Sequence, residues 1–365
     1  MTLLIDLYRN GGQSPWLDNL RRDWIEDGQL ASLVERGVRG VTSNPTIFAK
    51  AISGSTRYDE QFRSLIQTVT PAEAYWELVA TDIAGAMNTL LHVFQSSNGV
   101  DGYVSVEVAP SLAHDAAGTI TAARELRARI AGPNLMVKVP GTEAGLVALR
   151  QLVADGLSIN VTLLFSIERY DDVVEAYLSG LEDRLDAGAT DLSSIAGVSS
   201  FFVSRVDSAI DALLNAVNSE EARAARGKAA VAQAQVVYQH FLAAFSGPRW
   251  ERLKAAGAQV QRPLWASTST KDPSYPDLLY VDSLIGPATV NTLPDATLEA
   301  FADHGTVART IDADPTLAEQ QLAHLSQFGI SLADVAATLE REGLASFSQS
   351  FDDLLVELEA KAASL

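Results

Sequence analysis

Cysteine is absent from the 365-residue chain, and its absence removes several kinds of chemistry. Without cysteine there are no disulfides, no thiolate nucleophile and no cysteine-based zinc site. No strand-like segment is followed by the glycine patterns that bind nucleotides. The histidines are scattered without the spacing of metal ligands (His92, His114, His240, His304 and His324). We therefore expect neither a metal site nor any other cofactor.

Long apolar runs and positive charge are also scarce. No window approaches the ~18 uninterrupted apolar residues that a membrane span requires. The first residues, MTLLIDLYRNGGQ, carry an acidic residue inside their apolar run and no basic region before it, so we expect no signal peptide and a cytoplasmic location. With 27 basic against 46 acidic residues, the net charge of −19 argues against nucleic acid and anionic membranes as partners. An anionic ligand would need local positive charge.

Short apolar or alternating segments recur along the chain and are separated by helical patterns. Strands alternating with helices indicate a parallel sheet, and eight of them favour a closed (β/α)8 (TIM) barrel over a doubly wound sheet. We predict strands at residues 14–18, 40–44, 103–108, 135–139, 158–164, 196–203, 263–267 and 278–284.

The remaining segments are predicted to be helices packed on that barrel. We predict one domain over residues 1–365, with a barrel core at about 13–295 and a C-terminal helical extension at about 296–365. An inserted helical segment follows strand two at 55–95, and the extension carries helical patterns at 330–343 and 347–358. The sequence leaves the assembly open, with a homodimer as one alternative.

Lys138 lies in the middle of the fourth apolar segment, LMVKV. Lysine is rarely buried unless something compensates its charge. One interpretation is a strand-edge lysine whose ammonium reaches solvent along its stem. The other is a desolvated amine that acts as a nucleophile, and the remaining strand ends bear on the choice.

Polar side chains recur where the predicted strands end, which is the edge where barrel active sites lie. Each one has an ordinary explanation: a strand-end Asn or Asp usually caps a helix or forms a turn, a Ser/Thr segment is usually a loop, and an arginine is usually on the surface. Six of them would surround Lys138: Asp18, Asn44, Glu107, Asn160, Thr162 and Ser200. The others are Arg205 and the segment 267–271.

A neutral lysine in such a ring would form a Schiff base with a carbonyl, and a carboxylate would serve as general base for carbon–carbon cleavage. Burial favours the neutral amine, whereas ionised Asp18 and Glu107 would favour the ammonium, and the sequence leaves this competition open. Ser200, Arg205 and Lys271 suit a phosphate, the first two beside a helix N-terminus.

Six segments, taken as a set, resemble transaldolase in its longer bacterial form. They are QSPWLDN at 13–19, GVTSNPTIF at 40–48, LMVKVPGT at 135–142, INVTLLFS at 159–166, SFFVSR at 200–205 and WASTSTKDPSYPDLLYV at 265–281. The resemblance implies a class I aldolase barrel that transfers a dihydroxyacetone unit between sugar phosphates in the pentose phosphate pathway.

The resemblance also implies roles for single residues. Lys138 would be the Schiff-base lysine and Asp18 the general acid/base, while Glu107 and Thr162 would position a catalytic water. The other matched residues would bind substrate: Asn44 and Asn160 the dihydroxyacetone hydroxyls, Ser200 and Arg205 the phosphate, with Phe202 shaping the pocket beside them.

The sequence departs from the family in one place. Many members carry a second phosphate-binding arginine just after strand seven, and we expect Ser269 and Lys271 to replace it here. Two alternatives stay open. One is a fructose-6-phosphate-type aldolase that releases free dihydroxyacetone; the other is a catalytically silent barrel that binds sugar phosphates.

Overall fold

Eight parallel strands close into a barrel in the computed structural model, which describes residues 2–363. Each strand pairs with the next, and the eighth pairs with the first. The predicted (β/α)8 barrel with additional helices is confirmed. The strands are β1 (Gln13–Leu17), β2 (Val41–Thr42), β3 (Val104–Glu107), β4 (Leu135–Pro140), β5 (Ile159–Leu164), β6 (Gly197–Phe202), β7 (Gln261–Ala266) and β8 (Thr289–Leu293).

Helices cover the outside of the barrel, and every strand residue is buried. The described residues also form three short 3-10 helices, Thr56–Tyr58, Pro110–Leu112 and Leu325–Phe328. The α-helices within residues 2–363 are α1 (Leu3–Arg9), α2 (Arg22–Glu26), α3 (Gln29–Arg36), α4 (Pro45–Ser53), α5 (Asp59–Leu65), α6 (Pro71–Ser96), α7 (Ala116–Arg129), α8 (Glu143–Ala154), α9 (Ile167–Asp186), α10 (Ser204–Val217), α11 (Glu220–Ala225), α12 (Ala229–Ala244), α13 (Gly247–Ala255), α14 (Leu279–Asp282), α15 (Asp295–His304), α16 (Pro315–His324) and α17 (Leu332–Ala363).

The eighth strand does not lie where the sequence predicted it. Residues 278–284 contain helix α14, and β8 follows them. Thr289 and Asn291 of β8 are fully buried, and each has a side-chain partner: Gln13 Nε2 donates to Thr289 Oγ1 at 3.0 Å, and Thr268 Oγ1 donates to Asn291 Oδ1 at 2.9 Å. Because these hydrogen bonds satisfy the buried polar groups, a strand with few apolar residues can lie in the barrel wall.

The C-terminal helical patterns at 330–343 and 347–358 form one continuous helix, α17, so the predicted interruption is wrong. Gly343 lies inside this helix. A Cβ atom at that position would lie 3.0 Å from Leu163 Cδ2 and 3.4 Å from Arg205 Nη1. Glycine therefore permits α17 to approach the end of β5 closely, and it does not mark a helix end.

Helix α17 crosses the carboxyl ends of the strands and packs against α4, α6 and α10. Among residues 2–363, no helix is both long and apolar enough to span a membrane. The division of the chain into a barrel core and an extension of one domain stays a prediction.

Candidate active site

Glu107, Lys138 and Asn160 lie side by side on three neighbouring strands, because the parallel register pairs Lys138 with each of the other two. Lys138 Nζ lies 3.1 Å from Glu107 Oε2 and donates to the carbonyl oxygen of Ser43 at 3.3 Å. The lysine is only 4% exposed. Its ammonium does not reach bulk solvent, so the strand-edge interpretation of Lys138 is wrong.

The carboxyl groups of Asp18 and Glu107 lie beside this lysine and have few hydrogen-bond partners. Asp18 follows β1 and accepts a hydrogen bond from Thr42 Oγ1 at 2.7 Å. Burial raises the pKa of Asp18, although Lys138 and Thr42 act in the opposite direction. Burial likewise raises the pKa of Glu107 against the effect of Lys138. A raised pKa makes Glu107 a better acceptor for a proton from the lysine ammonium.

Amide and hydroxyl groups continue the polar row on β5 and β6. Ser200 Oγ donates to Asn160 Oδ1 at 2.7 Å, and Asn160 Nδ2 donates to Ser105 Oγ at 3.1 Å. Thr162 Oγ1 is buried and has no hydrogen-bond partner within the described part of the chain. Buried hydroxyls are nearly always bonded, so this one is available to a water molecule or a substrate.

The end of β5 has an unusual backbone that accompanies this hydroxyl. The pairing register with β6 shifts between Val161 and Leu164, and Leu163 has a φ of 62°. Left-handed φ values are rare for bulky residues. Irregular strand ends of this kind occur often beside active sites, where they change the direction of a side chain.

A cavity of about 350 Å³ opens in front of these groups at the carboxyl ends of the strands. Nine of the eleven predicted site residues line it: Asp18, Asn44, Lys138, Thr162, Ser200, Phe202, Arg205, Ser269 and Lys271. Glu107 and Asn160 do not line it; they lie behind its wall, in contact with Lys138 and Ser200 respectively. Asn44 also caps α4, since its Oδ1 accepts from the Ile47 backbone N–H at 2.9 Å.

Positive charge gathers on one side of this cavity. The Arg205 guanidinium lies 5.2 Å from the centre of the Phe202 ring, and Lys271 Nζ donates to Ser269 Oγ at 2.6 Å. Burial and the charge of Arg205 lower the pKa of Lys271. Within residues 2–363, neither cation forms an ion pair with a carboxylate. In a chain with a net charge of −19, such cations indicate a site for an anion.

Comparison with known proteins agrees with this geometry. A sequence model of the family described as Transaldolase/Fructose-6-phosphate aldolase matches residues 15–358. The protein named Transaldolase from Frankia alni is 49% identical over 347 residues, which cover 94% of this chain and 93% of that protein. Transaldolase from Thermobifida fusca is 46% identical with 97% of each chain covered, and Transaldolase 2 from a Nostoc species is 45% identical with 97% of this chain and 96% of that protein covered.

The chain belongs to the transaldolase/fructose-6-phosphate aldolase family. The family resemblance inferred from the six sequence segments is thereby confirmed. Among residues 2–363 there is no group of three or more His, Asp or Glu side chains that could hold a metal ion.

Sequence reasoning missed several residues that line the cavity of this family member. Lys50 lies on α4 at the exposed edge of the cavity, and its closeness to the GVTSNPTIF segment could have revealed it. Thr42, inside the same segment, also lines the cavity and donates to Asp18. Ser346 and Phe347 come from α17, and no signal in the sequence could have placed them there. A helical apolar pattern shows that one face is buried but does not identify what that face covers.

Proposed function

We propose that the chain is a transaldolase. It would transfer a dihydroxyacetone unit from sedoheptulose 7-phosphate to glyceraldehyde 3-phosphate, giving erythrose 4-phosphate and fructose 6-phosphate. The observation that carries the proposal is a buried lysine amine at the wall of a cavity, 3.1 Å from one carboxylate, in a chain whose relatives bear the name transaldolase. A cytoplasmic location is part of the proposal, since a chain without cysteine suits a reducing compartment; a homodimer is the assembly to test by light scattering.

In the proposed first step, the Lys138 amine attacks the ketone carbon of the donor sugar and water leaves as the Schiff base forms. Glu107 is the nearest proton acceptor, and its raised pKa suits an exchange of protons with the amine. Thr162 Oγ1 is free to hold the water that carries protons between Glu107 and the substrate.

In the proposed second step, Asp18 removes the proton from the hydroxyl next to the bond that breaks. The carbon–carbon bond then cleaves, its electrons move onto the Schiff base to give an enamine, and the aldehyde product leaves. Thr42 Oγ1 holds the Asp18 carboxylate at 2.7 Å. Because burial raises its pKa, Asp18 can also return the proton when the enamine attacks the acceptor aldehyde.

The remaining side chains would bind the substrate. Asn44 and Asn160 suit the hydroxyls of the dihydroxyacetone unit. The phosphate at the other end of the sugar would be held by Ser200, Arg205, Lys271 and Ser269, with the Phe202 ring supporting the guanidinium.

The test is to treat the protein with fructose 6-phosphate and borohydride, which reduces a Schiff base to a stable amine. We expect a three-carbon adduct on the peptide that contains Lys138. Lys271→Met is the matched control, because this lysine lines the same cavity and its loss should leave the labelled position unchanged. Labelling of Lys138→Ala, together with retained transfer activity, would show that the assignment is wrong.

Release of free dihydroxyacetone is the alternative reaction of the same intermediate. It is not favoured, because the curated relatives compared above are named transaldolase. Measuring free dihydroxyacetone with and without erythrose 4-phosphate distinguishes the two. A transaldolase consumes fructose 6-phosphate rapidly only when the acceptor is present.

A further inference from the structure

Helix α17 brings an aromatic ring against the reactive lysine. The Phe347 ring centre lies 5.9 Å from Lys138 Nζ, and the two side chains are 5% and 4% exposed. Phe347 and the adjacent Ser346 line the cavity that the carboxyl ends of the strands form. The ring is therefore an apolar surface beside the atom on which the proposed intermediate would be built.

The contacts of α17 on both sides of Phe347 fix the position of this ring. On its C-terminal side, Thr46 Oγ1 of α4 donates to Ser350 Oγ at 2.9 Å, and the Phe351 ring packs edge-on against Tyr75 of α6 at 5.3 Å between centres. On its N-terminal side, Gly343 allows close contact with the end of β5.

Further along the helix, two polar contacts join α17 to α4 and to α5. Ser53 donates a hydrogen bond to Glu357, and Lys361 pairs with Asp59. These anchors, together with the contacts beside Phe347, indicate a cover that is held rigidly over the lysine.

The reaction gives such a cover a specific task. After cleavage, the enamine on Lys138 has two fates. In transfer, its carbon attacks the acceptor aldehyde, a carbon–carbon bond forms, the aldehyde oxygen takes a proton, and water then hydrolyses the Schiff base of the product and restores the lysine amine. In release, the same carbon takes a proton instead, and water hydrolyses the resulting Schiff base to free dihydroxyacetone and the lysine amine. Both fates therefore end with water at the carbon attached to Lys138 Nζ, but only release needs a proton on the enamine carbon.

We propose that Phe347 determines the balance between transfer and release by keeping water, the proton donor that release needs, away from the enamine carbon beside Lys138 Nζ. This proposal rests on the proposed function, since it concerns the fate of the same lysine-bound intermediate. A ring face beside Nζ also suits the positive charge of the iminium, because aromatic rings attract cations within about 6 Å of their centre. Phe347 thus acts as a specificity-determining residue, contributed by the helix that crosses the cavity.

The experiment compares Phe347→Ala and Phe347→Leu with the wild-type protein. Fructose 6-phosphate is supplied with and without erythrose 4-phosphate, and the ratio of free dihydroxyacetone to transferred product is measured. We expect the ratio to rise at least about tenfold in Phe347→Ala, because water gains access to a reactive intermediate. Phe347→Leu should give a smaller rise, because it keeps part of the apolar cover.

Phe351→Ala is the matched control, since it removes the same side chain from the same helix without touching Lys138. We expect it to leave the ratio within about twofold of wild type, because the cover beside Nζ stays in place. An equal rise in Phe351→Ala would assign the effect to helix docking in general and overturn the role of Phe347.

Borohydride labelling separates this proposal from the proposed function. If Lys138 is labelled in the wild type and in both Phe347 variants while the ratio does not change, the inference about Phe347 is wrong and the Schiff-base function stands. If the wild type is not labelled, the proposed function itself is wrong, and this inference is overturned with it. Should Phe347→Ala lose its circular dichroism signal, Phe347→Leu decides by the same ratio.

Discussion

The barrel carries buried charge at both of its ends, and the two ends satisfy that charge differently. At the amino ends of the strands, the Asp101 carboxylate is fully buried and accepts four hydrogen bonds. The donors are Ser14 Oγ at 2.7 Å, Arg39 Nε at 2.9 Å, Arg262 Nη2 at 3.0 Å and Trp16 Nε1 at 3.1 Å. Burial alone would raise the pKa of Asp101, but the two guanidinium groups and these hydrogen bonds outweigh it and lower the pKa.

At the carboxyl ends, the buried Glu107 and the half-buried Asp18 have far fewer partners. Asp18 accepts from one hydroxyl, Glu107 faces one ammonium, and the pKa of each is raised by burial. Arg205 and Lys271 line the same cavity without a carboxylate partner among the described residues. Charge that is fully satisfied holds the barrel together, whereas charge left partly unsatisfied is available for a substrate and its protons.

The largest expected effect is on activity at the carboxyl end. Lys138→Met should lower transfer activity by at least about 10⁴-fold, as expected when a covalent nucleophile is removed. We expect the same variant to fold, because methionine fills similar space and Glu107 can take up a proton. Steady-state transfer rates and urea unfolding of one preparation check both statements. A folded variant with near-normal turnover would contradict the assignment of this end as the reactive one.

The second-largest effect is expected at the amino ends of the strands, where a substitution should lower the free energy of unfolding. Asp101→Asn leaves the buried Arg262 and the half-buried Arg39 without their shared counter-charge, and we expect a loss of about 3–5 kcal/mol in the free energy of unfolding. Turnover per folded molecule should stay within about twofold of wild type, because Asp101 lies away from the cavity. Urea unfolding combined with active-site labelling measures both quantities. A large loss of turnover in fully folded protein would contradict a structural role.

The third effect concerns the cations of the cavity. Lys271→Met should raise KM for phosphorylated donors about tenfold with little change in kcat, because a charged hydrogen bond to phosphate is lost. Lys50→Met should have a smaller effect, up to about fivefold, because Lys50 is exposed. Initial rates over a range of donor concentrations check both values. Donors without phosphate are the control, since neither substitution should change their KM.

The smallest expected effect is a gain in stability when the half-buried Asp18 loses its charge. The pKa of Asp18 is raised from its ordinary value of 3.8, so its contribution to stability falls as pH rises above that value. The free energy of unfolding of Asp18→Asn should therefore be about 1 kcal/mol higher than that of the wild type at pH 7, and the difference should vanish below pH 3.8. Asp101 has the opposite sign, because its stabilisation is present above 3.8 and is lost as pH falls through its lowered pKa. Urea unfolding of both variants between about pH 3 and 7 tests this contrast. If the stability differences of the Asp18 and Asp101 variants from the wild type changed with pH in the same direction, the two acids would not differ in this way.

Most of the barrel could be predicted because its strands carry apolar or alternating runs between helical segments. Strand β8 could not, because Thr289 and Asn291 are buried through hydrogen bonds with side chains that are remote in sequence. The apolar residues at 278–284 led to the prediction of a strand there, but they form a short helix and turns. Local patterns measure apolar content, whereas burial of a polar strand depends on partners that only the closed barrel supplies.

The same limit applies to the candidate site. Residues at strand ends could be found, since one edge of a parallel barrel gathers them at known positions. Phe347 could not, because Gly343 resembles a helix end in the sequence and is a close-contact position in the structure. Its neighbour across the cavity is a lysine more than two hundred residues earlier in the chain.

The row of Glu107, Lys138 and Asn160 has a consequence for how this scaffold can diverge. Their spacing is set by the hydrogen-bonded distance between adjacent strands, about 4.8 Å, and by no loop. Lys271 and Ser269, in contrast, lie on the connection after β7, which can change length or composition without moving the row. A designer who seeks new acceptor aldehydes can therefore vary that connection while the spacing of Glu107, Lys138 and Asn160 in the wall of the barrel stays unchanged.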